Sequence, residues 1–156
     1  MIRAVALVAA FCAAQQAAAL SCMVPEIAED FARADASEDR YIVALGRIDF
    51  DPAALPGPMA GDSVGPEGVS VPARLSGQML GRGGFDRPVE TEITLRLNCI
   101  GPWCARIETG QRHIVFLKQD AAELTLDISP CPGMVYTDPT PEQQQTVEDC
   151  MAGSCG

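Results

Sequence analysis

Tyr41-Ile-Val-Ala-Leu-Gly-Arg-Ile-Asp-Phe50 is the stretch whose reading decides the fold class. It is an apolar run rich in β-branched and aromatic residues, entered from the polar Asp35–Asp39 and left at Pro52, so it reads as a long strand. Gly46 near its middle marks a bulge or a sharp bend. Further along, Val89, Thr91, Ile93, Leu95 and Leu97 alternate with Glu90, Glu92, Thr94 and Arg96, the period of a strand with one wet side. His113-Ile-Val-Phe-Leu117 is nearly continuous in apolar residues, and Leu124-Thr-Leu-Asp-Ile128 alternates again. Val71 to Leu80 is a less regular strand, interrupted by Pro72 and Gly77, and Gly81-Arg-Gly-Gly-Phe85 turns the chain. Strands are expected near 41–50, 71–80, 89–97, 112–118 and 123–128.

Helices flank these strands. Pro25 can open the first, Glu26, Glu29 and Asp30 suit its positive end, and Ile27, Phe31 and Ala34 recur at helical spacing. Pro139 to Met151 reads as a closing helix with Thr140 as its cap. Between the first two strands, the segment 51–70 is rich in proline and glycine and reads as a long surface loop, the most mobile internal part. Five strands between two helices form an antiparallel pattern that suits a mostly β fold, a small closed barrel, with a small β-sandwich as the alternative.

The amino terminus carries the marks of export. Arg3 precedes an apolar stretch from Ala4 to Ala14, and small residues follow at Ala17 and Ala19. Residues 1–19 read as a signal peptide, cleaved after Ala19 or after Ser21, and too short in its apolar run for a bilayer span. The mature 20–156 chain reads as one disulfide-stabilised domain, in the periplasm or outside the cell. Loss of Arg3 takes the formal charge of −10 to −11, so phosphate backbones are repelled and nucleic acid is excluded as a partner class. Cys12 leaves with the signal, and the even set Cys22, Cys99, Cys104, Cys131, Cys150 and Cys155 reads as three bridges of open connectivity. Ala19-Leu20-Ser21-Cys22 also loosely matches a lipoprotein processing site, which would place a lipid anchor on Cys22 instead.

Four stretches together resemble the netrin-like family, which includes the amino-terminal domains of tissue inhibitors of metalloproteinases. They are Cys22-Met-Val-Pro-Glu with the helix to Asp35, Tyr41-Ile-Val-Ala-Leu-Gly-Arg-Ile, Gly110-Gln-Arg-His-Ile-Val-Phe-Leu, and Leu124-Thr-Leu-Asp-Ile-Ser-Pro-Cys131. The resemblance implies a five-stranded OB-fold barrel with helices beside it. It also implies a Cys22–Cys131 bridge if Cys22 matches the second cysteine of the family's Cys-x-Cys start. Cys99–Cys104 and Cys150–Cys155 then remain. If Cys22 matches the first cysteine, it should bridge to Cys99 or Cys104 instead. Inhibitory members place the amine and carbonyl of the first cysteine on a protease zinc. Here Ser21 precedes Cys22 and Val24 stands two residues later, so that pattern is incomplete.

No enzyme chemistry is located in the sequence. His113 is the single histidine, and no serine context marks a nucleophile. The spacing of Cys99 and Cys104 is not that of a redox CxxC, and four zinc ligands are not at hand. Trp103 is expected to shield the bridge in its turn, with an exposed contact as the alternative. Asp49 with Asp51 and Glu90 with Glu92 lack a calcium-loop pattern, and the glutamates are expected on the solvent side of their strand. No catalytic residue, cofactor or metal is therefore assigned. The expected function is a non-enzymatic interaction module binding another extracytoplasmic protein, with Cys22, Met23, Val24 and Pro25 as its ridge. The alternatives are a metalloprotease inhibitor acting through the Cys22 segment, or a small secreted enzyme.

Overall fold

The computed structural model describes residues 21–57, 68–121, 123–131 and 133–155. The expected signal at 1–19 and the middle of the 51–70 loop lie outside them.

Helix α1 (Ile27–Asp35) leads into β1 (Arg40–Phe50). A 3-10 turn (Pro52–Ala54) follows, capped by Asp51, whose side chain accepts from the Ala53 N–H at 2.9 Å. The long hairpin β2 (Val69–Gly81) and β3 (Gly84–Leu97) comes next, then a short ribbon, β4 (Cys99–Ile100) and β5 (Trp103–Cys104). β6 (Arg112–Asp120), β7 (Glu123–Ile128), β8 (Val135–Thr137) and α2 (Pro141–Met151) complete the order.

The ladders correct the expected five-stranded antiparallel OB barrel. The main sheet has six strands in the order β1-β2-β3-β7-β6-β8, and β4-β5 form a separate two-stranded sheet. The main sheet is mixed, because β3 and β7 run parallel. β1 also pairs with β6, so the sheet curls. It is not a sealed barrel: β3 meets β7 only over Thr94–Leu97, which leaves Gly84–Ile93 with no strand on that side among the described residues. The OB-fold and netrin-like description is accordingly replaced by this mixed, incompletely closed sheet. The sandwich alternative is corrected as well, since the second sheet has only two residues per strand.

Strand bounds also move. The irregular second strand is continuous from Val69 to Gly81, so Val69 and Ser70 belong to the ladder rather than to the loop. Pro72 is tolerated because it lies beyond the β1–β2 ladder, which begins at Ala73, and opposite Thr94. Gly46 and Gly77 face each other, and a Cβ on Gly77 would stand 2.3 Å from the Leu45 carbonyl oxygen. Only glycine permits that approach. Near the hairpin tip the register slips between Met79 and Leu80, which turns Leu80 and Phe85 toward the helices.

Two apolar clusters explain the near-continuous runs of β1 and β6. Ala44, Ile48, Val115 and Leu117 point inward with Leu75, Leu95 and Leu126, whereas Val43, Leu45, Ile114 and Phe116 point outward. The outward set packs against Phe31 of α1 and Val147 of α2. A strand buried on both faces loses its alternation. The α2 cap is reciprocal: Gln143 N–H donates to Thr140 Oγ1 at 3.2 Å, and Thr140 N–H donates to Gln143 Oε1 at 3.0 Å.

Candidate functional site

Cys22 is bonded to Cys131, Cys99 to Cys104, and Cys150 to Cys155. This is the set implied with Cys22 as the second cysteine of the Cys-x-Cys start. A sulfur held in a disulfide cannot carry a lipid, so this bridge leaves no thiol for the anchor considered above. No helix among the described residues is long and apolar enough to cross a membrane.

One end of the main sheet collects these features. β1, β3 and β7 finish there, and Ala105 and Ile107 cover the inward cluster. Gly110 N–H donates to the Ile48 carbonyl at 2.8 Å, and Phe50 N–H donates to Thr109 Oγ1 at 3.0 Å, which fastens the covering segment. Asn98 N–H donates to the Ile128 carbonyl at 2.8 Å and Asn98 accepts from Ala105 N–H at 2.8 Å, so the base of the β4–β5 ribbon is fixed beside the end of β7. Three positions beyond Ile128, Cys131 holds Cys22 at a Cα–Cα distance of 5.2 Å. The amino-terminal segment and the ribbon therefore leave the same end of the sheet.

Both segments expose large apolar side chains. Met23 and Val24 are 84% and 81% exposed, Ile100 and Trp103 49% and 38%. Cys22 and Pro25 are half-buried, so the expected ridge is reduced to Met23 and Val24 at its crest. Ile100 and Trp103 stand opposite each other across the ribbon, and Gly101, at φ +58°, makes the turn beside the indole. Trp103 is thus an exposed side chain, as in the alternative reading of it as a contact. Ile100 was not singled out by sequence, because two residues of strand produce no periodic signal.

The other residues weighed for chemistry do not converge on a cleft. His113 is fully buried, with Nδ1 3.1 Å from Thr137 Oγ1 and Nε2 3.4 Å from the Glu108 carbonyl. Burial pushes its pKa below the ordinary histidine value, against the opposing pull of the Glu108 carbonyl, Asp138 and the Glu108 charge. Glu90 and Glu92 lie on the solvent side, where Arg74 donates to them at 3.1 and 3.2 Å. Asp51 caps the 3-10 turn.

A buried carboxylate escaped the sequence reading. Asp30 accepts from the Tyr136 hydroxyl and from Met134 N–H at 3.3 Å, and Arg33 pairs with it at 2.8 Å. Burial, and then the bond to Asp30, raise the Tyr136 pKa far above the usual phenol value. The signal for this link was the position of Asp30 three residues after Ile27, on the same apolar helix face. The link ties α1 to the 134–136 segment that follows Cys131. No group of three or more candidate metal ligands occurs among the described residues.

Comparisons with protein-family models, with curated proteins and with solved structures give no match to this chain.

Proposed function

We propose that this is an exported, non-enzymatic protein-binding module whose contact surface is the bridged end of the sheet. One observation carries the reading. Among the described residues the four most exposed large apolar side chains, Met23, Val24, Ile100 and Trp103, belong to two segments fastened to that same end by disulfides and backbone hydrogen bonds. Aromatic and aliphatic side chains held rigidly in solvent bind with little ordering cost, which is the property of interface anchors. The signal-like residues 1–19 and the bridges support an extracytoplasmic setting, and the acidic charge opposes nucleic acid.

Site-specific photo-crosslinking in the producing cell tests the proposal. A photoreactive residue at Val24 and another at Trp103 should trap one and the same protein, while a third at the exposed Gln145 on α2 should trap none. Adducts absent from both positions, or equal at Gln145, would overturn it. Zinc-directed inhibition is separated by a second assay: protein beginning at Cys22 should leave metalloprotease activity unchanged, and inhibition would replace this reading.

A further inference from the structure

The opposite end of the sheet carries a second feature, independent of the bridged-end surface. β3 keeps its partner β2 along its whole length, but on its other side it meets β7 only from Thr94 onward. Phe85 N–H at the start of the open stretch is taken by the Glu148 carboxylate of α2 at 3.3 Å. From Asp86 to Ile93 the edge has no strand beside it among the described residues.

The prolines show which backbone groups face outward. Pro72 and Pro88 oppose Thr94 and Gln78, so both fall in the same parity class of the β2–β3 ladder. Antiparallel bonding alternates, and a residue without an N–H belongs where no ladder bond is required. The ladder bonds therefore run through Val71, Ala73, Leu75 and Gly77 with their partners Leu95, Ile93, Thr91 and Val89. The N–H and C=O groups of Glu90 and Glu92 then point away from β2, into the gap.

That gap is hollow on both faces. On the inner side a groove of about 780 Å³ is lined by Val89 and Thr91 of β3, by Ile42 and Met79, and by Leu124 across the gap. On the outer side a second hollow of about 570 Å³ lies between Glu92 and Thr94 of β3 and the β6–β7 turn at Asp120–Glu123. The inner groove is mixed: Ile42, Met79, Val89 and Leu124 form its apolar part beside β3, and its remaining lining includes Asp35, Glu38, Asp39, Arg40 and Arg87. The outer flank carries Glu90, Glu92, Asp120 and Glu123, with Arg74 as the cation bonded to the first two.

We propose that the Asp86–Ile93 edge of β3 is a docking site for an extended segment of another protein, which adds a strand along β3 where β3 runs on past the start of β7. The Glu92 carbonyl already accepts from the Thr91 hydroxyl at 3.3 Å, and an added strand satisfies the outward groups of Glu90 and the Glu92 N–H, with its side chains alternating between the two hollows. The occupant is therefore a segment of alternating apolar and basic residues, apolar toward Val89, Ile42 and Leu124, basic toward the four carboxylates. Pro88 and the charged flank keep the edge from pairing with a second copy of itself.

The probe is a capped ten-residue peptide of alternating lysine and valine, added to the oxidised 20–156 chain. Amide exchange of the free protein should be fast at Glu90 and Glu92 and become protected when the peptide is present. A peptide with five lysines followed by five valines should bind at least tenfold more weakly. Glu90→Pro removes an outward donor without touching the β2 ladder, and should weaken the alternating peptide at least tenfold. If that variant misfolds, the exchange map of the unaltered protein decides. Protection of both amides before any peptide is added, absence of binding, equal binding of the block peptide, or undiminished binding to folded Glu90→Pro would each overturn the proposal.

Discussion

The two ends of the main sheet solve the same problem in opposite ways. At the bridged end the inward cluster is covered by Ala105 and Ile107, and the surrounding segments are fastened by two disulfides and by bonds from Phe50, Asn98 and Gly110. At the other end β3 runs on past the start of β7, and Ile42, Met79, Val89 and Leu124 line a groove. The difference teaches where rigidity has been placed. The exposed side chains Met23, Val24, Ile100 and Trp103 sit on the covalently fixed end, while the overhanging edge of β3 is free of any such bridge.

Removal of the Cys22–Cys131 bridge should break this contrast most severely. The bridge closes a separation of 109 residues, and the Cys22→Ser/Cys131→Ser pair should cost about 5 kcal/mol in denaturant melts by the chain-entropy relation. Amide exchange should accelerate first near Asn98 and Ile128. A loss confined to the open end would contradict the assignment of rigidity. Next in size, Gly77→Ala places a methyl group against the Leu45 carbonyl oxygen and should destabilise by about 1–3 kcal/mol, the usual range for overpacking. Stability unchanged from the parent would mean that β1 and β2 are not held so close. Reduction of the ribbon bridge alone, by Cys99→Ser/Cys104→Ser, should cost about 2 kcal/mol before strain. It should also leave exchange at Glu90 and Glu92 unaltered.

The smallest effect is one of pH. His113 lies near the bridged end, and its folded pKa is depressed by burial. Its neutral form is therefore favoured by the fold, so the stability it contributes is present above the unfolded value of about 6.5 and is lost as pH falls through the lower folded value. The melting temperature of the parent should fall more between pH 7.5 and pH 5 than that of a folded His113→Gln variant. Parallel curves would show that the imidazole titrates over the same pH range in the folded and the unfolded chain.

Sequence made much of the scaffold legible and little of its closure. β1, β3, β6 and β7 appeared because their apolar residues recur at period two or fill both faces, and α2 because Thr140 and Gln143 form a cap before Val147 and Cys150. β8 was missed since three residues, Val135–Thr137, carry no period, and β4–β5 read as a turn for the same reason. The parallel β3–β7 contact depends on chain crossing, which local pattern does not encode. Met23 and Val24 were legible as part of a ridge, but the exposure of Trp103 was not. A tryptophan between two cysteines can cover their bridge or project from it, and the Gly101 turn decides which.

Trp103 is the single tryptophan of the chain, and so its fluorescence reports on the bridged end alone. Titration of the oxidised 20–156 chain with the partner trapped at Val24 and Trp103 is the most direct test of the binding account. Burial of the indole should shift its emission to shorter wavelength with the same saturation curve as binding measured by calorimetry, and Met23→Ser/Val24→Ser should weaken both at least tenfold. Calorimetric binding with no change in Trp103 emission, or with full affinity in the double variant, would contradict the account.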